Sequence, residues 1–298
     1  MRRREVIALM AGAAAWWPPV ARAQTVSARV GILLIGRAAT PRHLPLVAEL
    51  ERIGYSEGRN VSYQVLAADG DVDQLPRLAR ELVARKPDVI VSATSSAAEA
   101  LTRATSEIPI VMTVIGDPIA LGITSSMSRP SRNVTGFTLS HPSLAAKRLE
   151  LMREVIPHLT TIAYVRPIGP MEVPFEQQVR MAADSPGITL VPLSLTSETK
   201  LADEFAVLDR EQVQAVLVET DPTSTQLSGH IVTECLVRNL PAMHTWYFEV
   251  REGALMSYGP ATLPDNGAVA RYIGRIIGGA KVAELPFEEP TQLKLSIN

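Results

Sequence analysis

The sequence has little of what would indicate disulfide cross-links or nucleic-acid binding. Its 298 residues include one cysteine, Cys235, which can form no disulfide within the chain and suits a small buried position on a helix. The formal net charge of -2 leaves no basic surplus to neutralise a phosphate backbone, so we expect no nucleic-acid partner. Aromatic residues make up only 5% of the chain, so an aromatic pair beside a binding cleft would be informative.

The common signatures of enzyme active sites are also missing. The sequence contains no Gly-x-Ser-x-Gly elbow, no Walker phosphate loop and no Gly-x-Gly-x-x-Gly turn after the first predicted strand. Five histidines lack the i, i+3 or i+4 spacing that pairs metal ligands on a helix: His43, His141, His158, His230 and His244. We therefore expect a protein that is not an enzyme, with no catalytic residues, no metal and no cofactor.

The first residues differ in character from the rest of the chain. The segment "MRRREVIALMAGAAAWWPPVARAQ" has an arginine cluster, a short apolar stretch and a small-residue cleavage pattern, which predict a signal peptide at residues 1–23. Its apolar part is far shorter than the roughly 20 residues that a membrane-spanning helix needs. Arg3 and Arg4 also resemble a twin-arginine export signal. We expect an exported, periplasmic protein that begins near Gln24.

Short apolar runs alternate with helical patterns along the rest of the chain. "ARVGILLIG" and "PDVIVSAT" are predicted strands, and "RHLPLVAELERIGY" and "QLPRLARELVARK" are predicted amphipathic helices. The pattern breaks at residues 129–143, where proline, glycine and small polar residues gather, and then restarts. The sequence thus predicts an α/β fold with two similar lobes, each a parallel sheet covered by helices on both faces.

Small polar residues follow the predicted strands, which is where ligands bind in open parallel sheets. Thr94, Ser95 and Ser96 come after the third strand and begin a helix, so their hydroxyl and N–H groups could hold a carboxylate. The plainer alternative is that one of them only caps the helix.

Two aspartates stand before proline at strand exits: Asp117 in "VIGDPIALGI" and Asp221 in "ETDPTST". An Asp-Pro step suits an aspartate that caps a helix whose first residue is proline. Either carboxylate could also accept a hydrogen bond from a ligand ammonium group, and Asp117 is the candidate acid in an alternative in which the protein is a hydrolase.

Six segments taken in order carry a family resemblance: "ARVGILLIG", "ERIGYSEGRNVSYQVLAADGDVDQLPRLARELVARKPDVIVSAT", "GDPIALGI", "RPSRNVTGF", "KRLELMREVIP" and "REGALMSYGP". They resemble the periplasmic substrate-binding proteins of ABC transporters in the tryptophan/tyrosine-binding-like family, over essentially the whole mature chain. The resemblance implies a type I periplasmic-binding fold, in which two doubly wound lobes joined by a hinge close on a small solute.

The resemblance also implies a domain division and a function. Residues 24–138 and about 258–280 would form the first lobe, and about 139–257 and 281–298 the second. The protein would be a monomeric component of an ABC importer that captures an amino acid or other carboxylate and presents it to a permease in the inner membrane. An alternative is a periplasmic ligand sensor for a receptor. Members usually continue a little past "LKLSIN", so the chain is expected to end early.

Carried over position by position, the resemblance places thirteen residues on the ligand cleft. In the first lobe these are Gly36, Arg37, Thr94, Ser95, Ser96, Gly116, Asp117 and Thr138. In the second lobe they are Arg166, Thr220, Asp221, Trp246 and Tyr247.

Two of these positions depart from the family, which usually has a small or polar residue at Arg37 and an asparagine near Arg166. If both arginines face the cleft, their planar forks favour a ligand with at least one carboxylate, whereas side chains at the outer rim would not. Trp246 and Tyr247 could stack on an apolar ligand group, or one of them could pack beneath the cleft.

Overall fold

The computed structural model describes residues 28–37, 39–41, 44–139, 143–166, 172–184, 186–195 and 198–298. The predicted signal peptide lies outside the described residues, as do Ala38 and Pro167 beside two predicted cleft positions. None of the helices in the described ranges has the length and apolar character needed to cross a bilayer.

The first lobe is built on a parallel sheet of five strands in the order β2-β1-β3-β4-β5. Its strands are β1 (Ala28–Leu34), β2 (Val61–Ala67), β3 (Val89–Ala93), β4 (Ile110–Ile115) and β5 (Val134–Thr138), and its helices so far are α1 (Pro45–Arg52), α2 (Leu75–Ala84) and α3 (Ser95–Ala104). One apolar core joins α1 to one face of the sheet, and another joins α2 and α3 to the other face. The central strands are largely apolar because helices cover both faces of the sheet.

The second lobe has a six-stranded sheet, in which β6 to β10 pair in parallel and the edge strand β11 is antiparallel to β10. Its helices are α4 (Ser143–Val155), α5 (Glu172–Asp184), α6 (Glu198–Arg210), α7 (Pro222–Gln226), α8 (Ser228–Val237) and α9 (Tyr247–Arg251). Its strands are β6 (Thr161–Val165), β7 (Thr189–Leu193), β8 (Ala215–Val218), β9 (Ala242–His244), β10 (Met256–Pro260) and β11 (Leu293–Ile297). Cys235 is buried on α8, where burial raises the pKa of its thiol to about 12, so the thiol is an inert part of the core.

The chain crosses between the lobes three times. It passes to the second lobe after β5, and it returns after β10 to form α10 (Asn266–Ile277), which packs in the first core beside α1. Glu288 then forms a parallel bridge with Phe137 on β5 before the chain enters β11. Strand β10 pairs with β9 and β11 and so lies in the second sheet through Pro260, and the segment that follows contacts the first lobe as far as Glu288.

Strands β4 and β5 approach each other closely at Gly136. This glycine has a φ of +142°, and a Cβ atom placed on it would lie 2.0 Å from the carbonyl oxygen of Met112. The register between the two strands shifts between Met112 and Ile115, just before β4 ends. The pairing of β4 with β5 near the carboxyl edge of the first sheet therefore requires a glycine at position 136.

Candidate functional site

A cavity of about 410 Å³ lies between the lobes, at the ends of strands from both sheets. This is where ligands bind in open parallel sheets. From the first lobe it is lined by the turns after β3 and β4, and from the second by α4, α5 and the segments after β8 and β9. The lining residues that matter below are Thr94, Ser95, Ser96, Gly116, Arg148, Phe175, Gln178, Glu219, Thr220, Asp221, Trp246 and Phe248.

The first-lobe end of the cavity is the start of α3. Thr94 caps this 10-residue helix with a φ of +83°, and its hydroxyl accepts a hydrogen bond from the Ala97 N–H at 3.4 Å. The Ser95 hydroxyl accepts from the Gly116 N–H at 3.1 Å and so joins the turns after β3 and β4. Within the described ranges no acceptor takes the N–H groups of Ser95 and Ser96, which are among the first of the helix. These donors and the helix dipole make this end suitable for an anionic group.

The walls of the cavity are mainly apolar, and two aromatic rings dominate the second-lobe side. Trp246 and Phe248 lie nearly parallel, at 9°, with their ring centroids 6.1 Å apart. The backbone N–H of Trp246 donates to Glu249 Oε2 at 2.9 Å, which fixes the start of α9. Flat apolar surface of this kind can pack against an aliphatic or aromatic ligand group.

A buried ion pair contributes to the polar part of the second-lobe wall. Arg148 Nη1 donates to Glu219 Oε1 at 2.6 Å, and Arg148 Nε donates to the carbonyl oxygen of Tyr258 at 2.7 Å. The two side chains are only 3% and 10% exposed. The Tyr164 hydroxyl is also buried nearby, and burial, with Glu219 next, raises its pKa.

The sequence interpretation did not select Arg148 or Glu219. A signal was present for Arg148, because in "LAAKRLELM" it follows Leu144 by four residues and precedes Met152 by four, on the apolar face of α4. A charge on such a face needs a buried partner. Nothing in the sequence identifies that partner as Glu219, which is 71 positions away.

Asp117 and Asp221 both act as local caps. Asp117 Oδ1 accepts from the N–H groups of Ile119 and Ala120 at 2.9 and 3.0 Å, although the segment after Pro118 is a turn and not the expected helix. Asp221 does begin a helix, α7, in a capping box with Ser224. Asp221 lines the cavity, whereas Asp117 lies outside the lining and is reached across the gap by Gln178 Nε2 at 3.4 Å.

Five other predicted residues also lie off the cavity lining. Gly36 and Arg37 form an exposed turn after β1, and Thr138 is buried with its hydroxyl donating to the Gly116 carbonyl oxygen at 2.6 Å. The ring of Tyr247 lies beneath Arg251 and Lys294, at 5.6 and 5.1 Å from their charged groups.

Arg166 is the fifth predicted residue off the lining, and its side chain bonds to residues of its own lobe. It donates from Nε to Ser194 Oγ at 2.6 Å and from Nη1 to Glu176 Oε2 at 3.2 Å. Hydrogen bonds from Arg180 and then Arg166 hold the pKa of the Glu176 carboxyl below its usual value. Neither Arg37 nor Arg166 is therefore in place to clamp a carboxylate in the cavity.

A family model described as "ABC transporter substrate binding protein" matches residues 45–298. The chain belongs to this family. The resemblance inferred from the sequence is thereby confirmed. Substrate-binding proteins of ABC transporters are not an enzyme family, and they typically work outside the cytoplasm.

One relative with a known ligand is consistent with this family. A tyrosine-binding protein from Clostridioides difficile (strain R20291) is 32% identical over 119 residues, which are 40% of this substrate-binding protein and 34% of the relative. The match thus spans about a third of that relative's length.

Solved structures show the fold. An ABC domain in complex with L-Trp from Streptococcus pneumonia has a TM-score of 0.76 at 23% identity, and a conserved domain protein from Vibrio cholerae has a TM-score of 0.80 at 24% identity. Each comparison covers 91% of this chain and 92% of the other. The expected α/β fold of two lobes, of the type I periplasmic-binding class, is confirmed.

The cavity has no evident metal site. Among the described residues, no three histidine, cysteine or acidic side chains are grouped so that they could hold an ion. The polar groups on the lining are instead hydroxyls, amides, the Asp221 carboxylate and one ion pair, which suit an organic ligand.

Because Asp117 works as a cap, we expect Asp117→Asn to leave ligand affinity within about twofold, since asparagine caps as well as aspartate does. Asp117→Ala should lower the free energy of unfolding by about 1 kcal/mol. Calorimetric titration and thermal denaturation of the two variants check this. A tenfold or larger loss of affinity in Asp117→Asn, which keeps the cap, would instead show that the carboxylate acts on the ligand.

Proposed function

We propose that this substrate-binding protein captures an amino acid, or a closely similar small carboxylate, in the cavity and presents it to an ABC permease in the inner membrane. The observation that carries the proposal is the cavity itself, which has unpaired helix N–H groups at one end and aromatic walls at the other. The helix end suits the carboxylate and the walls suit an apolar side chain.

The ligands of similar proteins support an amino-acid ligand. One relative is a tyrosine-binding protein, and one structure with the same fold holds L-Trp. A volume of about 410 Å³ lies in the usual range of small-molecule sites. The proposal includes export by the signal peptide at residues 1–23, residence in the periplasm as a monomer, and no catalytic step.

Within the proposed site, the first lobe contributes Thr94, Ser95, Ser96 and Gly116, and the second contributes Thr220, Asp221 and Trp246. Thr94 to Ser96 bind the carboxylate, while Trp246 packs against the side chain. Arg37 and Arg166 are left out because neither reaches the cavity, so a second carboxylate on the ligand has no evident partner.

The direct test is a thermal-shift panel of the common amino acids and small mono- and dicarboxylates, followed by calorimetry of each compound that shifts the melting temperature. The chain from residue 24 onward should first be unfolded and refolded to remove any co-purified solute. We expect one or a few apolar amino acids to bind with one-to-one stoichiometry and without turnover. Absence of any binding amino acid, or conversion of a bound compound, would contradict the proposal.

Two adjacent aromatic residues provide a matched pair of variants. Trp246 lines the cavity and Tyr247 does not, so Trp246→Ala should weaken binding of the best amino acid at least about tenfold, a typical cost of losing an aromatic contact. Tyr247→Ala should change it by less than about twofold. Equal losses in both variants, measured by calorimetry, would mean that the ligand does not contact the Trp246 ring.

A further inference from the structure

Two carboxylates line the cavity, and one of them has an oxygen to spare. Asp221 uses Oδ1 to accept the Ser224 N–H at 2.6 Å in its capping box and has a further partner. Glu219 Oε1 accepts from Arg148, whereas no donor in the described part of the chain reaches Glu219 Oε2. The side chain is 90% buried and lines the cavity, and Oε2 is not among the fully buried polar atoms that lack a partner, so the spare oxygen keeps accessible surface at the cavity.

Arg148 holds this carboxylate in place. Its Nε atom also donates to the Tyr258 carbonyl oxygen at 2.7 Å, so the guanidinium that binds Glu219 is held from a second side. The pair as a whole is neutral. Because Arg148 is already paired with Glu219, it has no charge left to compensate a second carboxylate on a ligand, whereas a zwitterion brings its own balancing charge.

The position of the pair complements the first-lobe end of the cavity. The unpaired N–H groups of Ser95 and Ser96 offer donors from the first lobe, and Glu219 offers an acceptor from the second. A ligand with a carboxylate at one point and an ammonium group at another can bind both lobes at once.

From this geometry we infer that Glu219 receives the α-ammonium group of a zwitterionic amino acid, with Arg148 as its positioning residue. The inference rests on the proposed function, because it assumes that the ligand's carboxylate lies at the start of α3. It makes the site selective for amino acids over the corresponding acids that lack the amino group, and it excludes dicarboxylates.

The test compares amino acids with their des-amino analogues. Three pairs serve as probes: L-tryptophan with indole-3-propionate, L-tyrosine with 3-(4-hydroxyphenyl)propionate, and L-leucine with 4-methylpentanoate. Calorimetry gives the affinity ratio within each pair for the wild-type chain from residue 24 and for Glu219→Gln. Glu176→Gln is the control, because it removes a carboxylate of the same lobe that does not line the cavity.

For any pair whose amino acid binds, we expect the wild type to prefer the amino acid at least about thirtyfold, as for a charge-assisted hydrogen bond. Glu219→Gln should reduce that ratio at least about tenfold by weakening the amino acid alone, and Glu176→Gln should leave it unchanged. A ratio near one in the wild type, or an equal loss of both compounds in Glu219→Gln, overturns the inference while leaving amino-acid binding intact.

Failure of the proposed function gives a different result, because the wild type would then bind none of the common amino acids in the thermal-shift panel. If Glu219→Gln does not fold because Arg148 is left charged, the double variant Arg148→Gln with Glu219→Gln removes both charges and should show the same loss of preference. The wild-type ratio needs no variant at all, so the inference can be overturned even if neither variant folds.

Discussion

Gly136→Ala is expected to abolish folding or to lower the free energy of unfolding by about 4 kcal/mol or more, a loss typical of severe core strain. The added Cβ would lie 2.0 Å from the Met112 carbonyl oxygen and 2.7 Å from the Met112 nitrogen. Both contacts are with backbone, so relief requires β4 and β5 to separate. The φ of +142° adds conformational strain that only glycine avoids.

Two other glycines allow the cost of the backbone contact to be separated from the cost of the positive φ. Gly122 has a φ of +65° but open space around it, so Gly122→Ala should cost about 1 kcal/mol from backbone strain alone. Gly229 is in a helix with open space and no positive φ, so Gly229→Ala should be neutral or slightly stabilising. Urea denaturation of the three variants gives the comparison. If Gly136→Ala is no worse than Gly122→Ala, the strands are not as close as described.

Arg148→Met is expected to destabilise the protein by about 3–5 kcal/mol, because it leaves Glu219 buried without its counter-charge. The Tyr258 carbonyl oxygen loses its donor in the same variant. Removing both charges in Arg148→Met with Glu219→Leu should recover most of the loss, to within about 1–2 kcal/mol of the wild type, since apolar replacements avoid burying a charge.

An exposed pair on α2 is the control for the buried one. Arg77 and Glu81 lie 3.2 Å apart with side chains 59% and 40% exposed, so Arg77→Met should change stability by less than about 0.5 kcal/mol. The four proteins can be compared by thermal and urea denaturation. A double variant as unstable as Arg148→Met alone would show that the arginine is needed for packing rather than for charge balance.

The sequence was sufficient to predict the class of fold and most of its elements. Apolar runs such as "PDVIVSAT" are stable inside a sheet that is covered on both faces. The break predicted at residues 129–143 was only partly right, because that segment also contains β5, the last strand of the first sheet, before the chain passes to the second lobe. The start of α3 was also predictable, since Thr94 and the serines after it are characteristic of a helix N-terminus.

The side chains of the cavity were less predictable, because their direction depends on partners far away in the sequence. Hydrogen bonds to Ser194 and Glu176 hold the Arg166 side chain away from the cavity. The residues next to Arg166 in the sequence do not predict either contact. Asp117 was correctly seen as a cap, but whether a turn or a helix follows it depends on packing that the Asp-Pro step does not encode.

The three passages between the lobes have a consequence for the order in which the chain can assemble. Helix α10 and Glu288 complete the first lobe, and β11 completes the second, so both lobes wait for the last stretch of about forty residues. Contacts between positions this far apart form slowly. A nascent chain that has emerged only as far as β10 therefore contains neither the complete first core nor the complete second sheet.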